Sequence, residues 1–299
     1  MSTATLQRNT LVGLAASVAL AAGKLVAGLL GHSSALVADA VESLADSVGS
    51  SIVWFGLRVG SRRPDERYPY GYGRAEAIAA IAVGLLLVLA AIVIAVRAAS
   101  QLLTPHTPPA PWTLAVLIVV IVVKEALFRL IVRGADTFES DAARADAWHH
   151  RSDAITSAAA FFGILIAVVG PSLLDAPRLV LADEVAAIFA ALIILWTAYR
   201  LITPNLRELL DADSPSIASK VEHIAAKSDG VRLIEKVHAR KSGRGFLIDM
   251  HIHVEPNATV QEGHAIAGRV KASIREAIPA VFHVLVHVEP AVPRPDNHL

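Results

Sequence analysis

Residues 145–157 read ADAWHHRSDAITS and open an apolar run that continues through Gly170. Polar groups there are out of place, because a charged side chain at the centre of a bilayer costs roughly 2.5–3.5 kcal/mol on insertion scales. His149 and Asp153 stand four residues apart, so on a helix they lie about 40° apart around the axis and share a face. A second apolar segment, Ala35–Val59, repeats the device with Glu42 and Asp46, and Asp39 extends the acidic stripe by one turn. Two membrane helices, each presenting two metal-capable groups, point to one four-ligand site inside the bilayer.

Composition agrees with a membrane setting. The chain has 299 residues, 54% hydrophobic and 18% charged, whereas a soluble domain is about a quarter charged. Apolar residues fill the first two thirds, and His and charged residues dominate the last third. Net charge is zero and gives no hint of a nucleic-acid partner. There is no cysteine, which excludes disulfides, thiolate ligands and cysteine nucleophiles, so a metal site here must use nitrogen and oxygen.

Six spans are expected: Leu11–Leu30, Ala35–Val59, Ala75–Leu103, Trp112–Val132, Ala143–Val169 and Leu179–Ile202. The first reads as an uncleaved helix rather than a signal peptide, since it exceeds 18 residues, contains Lys24 and is followed by further spans. Arginines sort by loop. Arg8 precedes span one; Arg58, Arg62, Arg63, Arg67 and Arg74 lie around the loop after span two; Arg129, Arg133 and Arg144 follow span four; Arg200 and Arg207 follow span six. The alternate loops hold only Arg178. This bias predicts a multi-pass protein of the plasma or inner membrane with both termini cytoplasmic.

From about Asn205 the texture becomes that of a soluble domain. Ser214 is placed as an N-cap with Pro215 at the first helical position, and Ile217, Val221, Ile224 and Ala225 mark one helix face. A strand is expected over Val231–Arg240 and a turn over residues 242–245. In Phe246–Glu255, Phe246, Ile248, Met250, Ile252 and Val254 face one way, and Asp249, His251, His253 and Glu255 the other. A helix over Thr259–Ile278 precedes a strand over Val281–Glu289, in which Phe282, Val284, Val286 and Val288 alternate with His283, His287 and Glu289. The fold expected is an α-helical membrane protein of six transmembrane helices with a cytoplasmic, ferredoxin-like αββαβ (α+β) domain. Its divisions are residues 1–206 for transport, 207–290 for metal sensing and dimerisation, and 291–299 as a disordered tail.

Imidazole with carboxylates suits Zn²⁺ and related divalent ions, and the carboxylate share leans toward harder metals such as Mn²⁺ or Fe²⁺. The alternative is that these acids pair with Lys24, Lys124 or Arg151 to hold helices together. His150, about 100° away from His149 around a helix, reads as supporting or water-facing rather than ligating. Ligands must be deprotonated to hold metal, so metal and protons compete for the site. Exposing such a site alternately to the two sides makes a metal–proton antiporter. A channel asks for a wetter, weaker site, and an intramembrane metalloprotease asks for His-Glu-x-x-His, which the chain lacks. The chain is therefore not expected to be an enzyme.

The chain resembles a cation diffusion facilitator, the family of divalent metal/proton antiporters, over nearly its whole length. The resemblance rests on SALVADA (34–40) with Asp46, PYGYGRAE (69–76), Lys124-Glu125, ADAWHHRSD (145–153) and the αββαβ tail. It implies a homodimer joined through the cytoplasmic domains, with transport-site ligands Glu42, Asp46, His149 and Asp153. Two departures bear on selectivity. Zinc-exporting members usually carry His or Asp at the position of Glu42, and the loop Gly-His-Gly motif of members with a second site has Tyr72 in place of its His, leaving Asp65 alone. No tight site is expected in that loop.

The resemblance also places a candidate metal site in the cytoplasmic domain at His251, His287 and Glu289, with His264 nearby and Glu235 where another ligand is often His. A His-rich solvent-facing strand surface is the competing reading. Arg74 and Asp211 match positions that form a charge interlock. The expected function is export of a divalent cation in exchange for protons. Zn²⁺ is the first expectation, and Mn²⁺, Fe²⁺, Co²⁺, Ni²⁺ and Cd²⁺ are alternatives. A membrane-anchored metal-sensing module is the rival, though an anchor has no use for buried acids.

Overall fold

The computed structural model describes residues 3–103, 107–137 and 141–291; within its helices the side chains of residues 3–14, 50, 53, 133–137, 141–147 and 149 are not described. Of the groups singled out above, the side chains of Arg8, Arg133, Arg144 and His149, and the tail from residue 292, fall outside the described residues.

Long helices come first: α1 Thr3–Leu30, α2 Ser34–Gly60, α3 Ala75–Leu103, α4 Trp112–Thr137, α5 Asp141–Leu173 and α6 Ala182–Leu209. At about 1.5 Å per residue each exceeds the ~30 Å hydrocarbon core. Among the described residues, Ala75–Leu103, His150–Leu173 and Pro177–Leu209 are long and apolar enough to cross a membrane, and Ala15–Leu30 is a shorter apolar stretch. The helices outside that set carry internal charge, α2 with Asp39, Glu42 and Asp46 and α4 with Lys124. The sixth helix, expected from about Leu179, begins at Ala182. A 3₁₀ turn over Pro177–Leu181 precedes it, and the helix runs on through Pro204.

The chain divides into two compact units, residues 1–52 with 82–202, and residues 53–81 with 203–299. In the first unit, small residues let helix backbones approach closely. Ala38 packs with Val83, Leu87, Ala91, Ile94 and Ala98 of α3 and with Ala187, Ala191, Ile194 and Ala198 of α6. Gly84 marks a tight approach, since a Cβ there would lie 2.4 Å from Ile202. Outward faces are apolar, including Leu85, Leu89, Val93 and Phe189, as a lipid-facing surface requires.

The start of α2 is held by a residue that carried no signal in the sequence. Asp183, buried on α6, accepts hydrogen bonds from Ser33 Oγ (2.7 Å), Ser34 N (2.5 Å) and Ala35 N (3.3 Å). The first N–H groups of a helix lack intrahelical partners and carry positive partial charge, so a carboxylate there satisfies both needs. Asp183 thereby anchors the helix that carries Glu42 and Asp46.

The second unit is built on a three-stranded sheet in the order β1-β2-β3: β1 Leu233–Ser242, β2 Gly245–Val254 and β3 Val281–Pro290. β1 pairs antiparallel and β3 parallel with β2. The parallel pair needs a crossover, which α8 Val260–Ala277 supplies, and α7 Pro215–Ala225 precedes β1. Val221 and Ala225 of α7 and Ile266, Val270 and Ile274 of α8 share a core with Ala239, Ile248, Met250, Ile252, Val254 and Val284. Thr259 and Glu262 form a capping box at the start of α8, satisfying two orphan donors reciprocally.

Three expectations are corrected here. Ser214 does stand at the N-cap of α7 with Pro215 at the first helical position, but its side chain makes no capping bond; its N–H donates to Ala239 O at 2.7 Å. Phe282 does not join the apolar face. The β2–β3 register passes from Phe246↔Val281 to Leu247↔His283, so Phe282 is the extra residue of a bulge, which re-aims its side chain and leaves it exposed. His253 is not on a solvent-facing surface but is buried.

The loop between α2 and α3 belongs to this unit and is organised by Asp65. Its carboxylate accepts from Arg67 N (3.0 Å), Tyr68 N (2.8 Å) and Tyr72 Oη (2.6 Å). Those bonds, the tyrosine's first, hold the Asp65 carboxyl below its ordinary range and push the Tyr72 hydroxyl up. Gly71 has φ +82° in this loop, a conformation costly to residues with a Cβ.

Candidate metal centre

Within the first unit the acids of α2 and α5 come together. Glu42 lies within electrostatic range of Asp46, Asp39, Lys24 and Asp153, so α2 presents its stripe toward α5. Glu42 and Asp46 are half-buried and Asp153 is buried. His149 lies one turn before Asp153 on α5; its side chain is outside the described residues.

Two buried lysines border these acids. Lys24 of α1 lies 2.9 Å from Asp39 Oδ2 and donates to Ser43 Oγ at 2.7 Å. Ser157 of α5 donates to the same Asp39 carboxylate at 2.9 Å. Asp39 is therefore tied to α1 and α5 by an ion pair and a hydroxyl. Lys124 of α4, 1% exposed, sits 2.5 Å from Asp153 Oδ2 and donates to Ser17 Oγ at 3.0 Å. The pairing of acids with Lys24 and Lys124, weighed above as an alternative, is real for Asp39 and Asp153. Arg151 lies instead over the rings of Phe128 (4.7 Å) and Trp148 (5.4 Å). Glu125 pairs with Arg129 at 2.8 Å along α4. His150 is buried rather than water-facing.

A second cluster lies on the sheet of the second unit. His251 Nδ1 is 2.8 Å and His287 Nε2 3.4 Å from Glu289 Oε1. His253 Nε2 is 3.3 Å from Glu235 Oε2 and 3.7 Å from Glu289 Oε2. Two triads result, His251–His287–Glu289 and Glu235–His253–Glu289, each with ligand atoms within 4.8 Å of one another. Glu289 belongs to both. Strand register explains the convergence, because His251 pairs with His287 and His253 with Glu289 across β2–β3. His253 is among the domain's histidines available to a metal but falls outside the ligand set that the resemblance implies; its pairing opposite Glu289 was the missing signal. His264 stands apart from the triads, beside a cavity of about 500 Å³ that His287 and Glu289 also line.

Arg74 and Asp211 form a half-exposed ion pair within the second unit, and Arg240 reaches Asp211 at 3.7 Å. Asp211 has φ +55°, ending α6 in the left-handed conformation that short polar side chains tolerate best.

A family model for the cation efflux transmembrane domain matches residues 10–210, and one for the cation efflux protein cytoplasmic domain matches residues 214–291. The chain belongs to the cation diffusion facilitator family. As a cation diffusion facilitator it is a metal efflux transporter of the membrane and not an enzyme. It is 31% identical to manganese efflux system protein MneP of Bacillus subtilis, over 95% of this chain and 96% of that one. Magnetosome protein MamB of Magnetospira sp. (strain QH-2) is 31% identical over 89% of this chain and 88% of its own. Among solved structures, MamM CTD in a nickel form is 25% identical, covering 26% of this chain and 100% of that one with a TM-score of 0.26.

Proposed function

We propose that this cation diffusion facilitator exports a divalent transition-metal ion from the cytoplasm in exchange for protons. The observation that supports it most is that Glu42 lies within electrostatic range of Asp46 on its own helix and of Asp153 on α5, inside the first unit. With His149 they make the four-ligand transport site. Three carboxylates and one imidazole form a hard donor set. Together with the likeness to a manganese efflux protein, this favours Mn²⁺ over the Zn²⁺ first expected, with Fe²⁺, Co²⁺, Ni²⁺ and Cd²⁺ as competitors.

The coupling follows from the donors. A carboxylate or imidazole that takes up a proton no longer holds a metal ion, so protons arriving from outside drive release there. Lys124 adds a tethered cation that shares the Asp153 carboxylate with the metal. The bundle carries the site across the bilayer by alternating access, with six spans and both termini cytoplasmic. The protein acts as a homodimer through residues 207–290, and the His251–His287–Glu289 cluster, with Glu235 and His253 beside it, binds cytosolic metal that favours the joined state. Arg74 with Asp211 is the charge interlock that holds the α2–α3 loop to the segment after α6.

Asp153→Ala is a poor test by itself, because it strands Lys124 as a buried unpaired charge, at a cost of about 3–5 kcal/mol. Equilibrium Mn²⁺ binding to the full-length protein is cleaner. In a background lacking the sheet cluster (His251→Ala with Glu289→Gln), one bound ion per chain is expected. Adding Glu42→Gln and Asp46→Asn is expected to abolish it. Full binding by that variant contradicts the proposed site.

A further inference from the structure

Within the second unit the α2–α3 loop and the β1–β2 turn enclose a cavity of about 730 Å³ that no metal chemistry uses. Four arginines line it: Arg62 and Arg63 from the loop, Arg244 from the turn and Arg275 from α8, with Glu76 as the one lining acid. The lining charge is thus four positive against one negative, a net +3. Two of the guanidinium groups are held by one hydrogen bond each, and Arg244 also pairs with Glu76, its Nε lying 3.7 Å from Glu76 Oε1. Arg244 donates to Ser61 Oγ at 2.7 Å and Arg275 to Phe282 O at 2.5 Å. A guanidinium has five N–H donors, so both retain donors for a ligand. Phe282, the bulge residue that left the core face, forms part of the wall and is 53% exposed.

The height of this cavity follows from chain connectivity. α2 ends at Gly60 and α3 begins at Ala75, so the loop between two spans sits where they leave the bilayer. Arginines in a cytoplasmic loop are ordinary by themselves. Arg244 and Arg275 are different, because they come from the αββαβ domain, some 170 or more residues later in the chain, and turn toward the same space. Converging guanidinium groups are suited to phosphate oxygens, which they bind in bidentate fashion. The phosphates at that level belong to lipid headgroups, and an exposed aromatic ring beside them suits the interface between chains and headgroups.

We propose that this cavity binds the phosphodiester headgroup of an anionic phospholipid of the cytoplasmic leaflet. One headgroup then touches both the loop that joins the spans and the β-turn of the cytoplasmic domain, so lipid composition bears on how firmly the loop is held.

The test uses the full-length protein, delipidated in detergent and titrated in native mass spectrometry with phosphatidylglycerol and phosphatidylcholine of the same acyl chains. The wild type is expected to retain phosphatidylglycerol roughly tenfold better or more, as clustered basic residues at a membrane surface do. R62A/R63A is expected to lose that preference, and R62K/R63K to keep most of it. Millimolar inorganic phosphate is expected to leave the bound lipid in place. Should R62A/R63A melt at a lower temperature than wild type, R275Q serves as the reporting variant with the same expected loss. Equal retention of the two lipids by wild type, an undiminished preference in the alanine variant, or displacement of the lipid by phosphate alone overturns the proposal, the last by making this a site for free anions.

Discussion

Lys124 and Asp153 meet at 2.5 Å in a place where neither is exposed to water. Removing the ammonium leaves a carboxylate that no longer divides itself between a tethered cation and a mobile one. Lys124→Met is therefore expected to lower the apparent KM for metal roughly tenfold and also to lower kcat, since a metal held more tightly leaves more slowly. The same change breaks a buried pair and costs about 3–5 kcal/mol of stability. Transport rates against metal concentration check the split: a purely structural role for Lys124 lowers kcat without lowering KM. At this scale the sequence was legible where chemistry is rare. Acids in an apolar helix stand out whatever their surroundings, so Glu42, Asp46 and Asp153 were visible. Asp183 was not, because an acid in the first turn of a helix looks ordinary, and only the fold brings it to the Ser33–Ala35 backbone.

Elements were readable to the extent that a single period governed them. Apolar runs located the long helices but not all of their ends, since α1 starts at Thr3 rather than Leu11 and α6 runs to Leu209 rather than Ile202, and the strict alternation of Phe246–Val254 identified β2. The bulge at Phe246/Leu247 could not be read, because a register shift is decided between two strands and not within one. It moved Phe282 off the core face. The capping box of α8 is a purely local device and makes a local prediction. Thr259→Ala removes the acceptor for Glu262 N and is expected to cost about 0.5–2 kcal/mol, read by chemical denaturation of the domain. Bonds from the Thr259 N–H and hydroxyl hold the Glu262 carboxyl below its ordinary range. A carboxyl whose folded pKa is depressed contributes fully above its unfolded value, and that contribution is lost as pH falls through the lower folded value. The difference between wild type and Glu262→Gln is thus expected to be present at pH 7 and to close only on the acid side of about pH 4.

At the scale of the molecule, the chain joins a membrane part carrying the proposed cargo ligands to a sheet carrying a second set of metal-capable groups. The sheet cluster gathers around Glu289, which contacts His251, His287 and His253. A ligand that binds only the folded form stabilises it by mass action, about 2.7 kcal/mol at a hundred times Kd. Mn²⁺ or Zn²⁺ is expected to raise the melting temperature of the cytoplasmic domain and to favour the dimer, and Glu289→Gln to abolish both effects. An unchanged metal-induced shift in that variant, read by calorimetry and sedimentation, contradicts the regulatory role. Family membership was legible because its motifs are spread over both parts of the chain; the choice of metal was not, because it depends on ligand geometry that sequence spacing does not express.

The central claim is that carboxylates from α2 and α5 carry one metal ion against protons. Uptake of Mn²⁺ into proteoliposomes under an imposed pH gradient tests it most directly. Wild type is expected to take up metal only when the lumen starts more acidic than the outside, and to alkalise the lumen in step as protons leave, while Glu42→Gln with Asp46→Asn reconstitutes normally and takes up none. Gradient-driven uptake that persists at the wild-type rate in the double variant contradicts the claim.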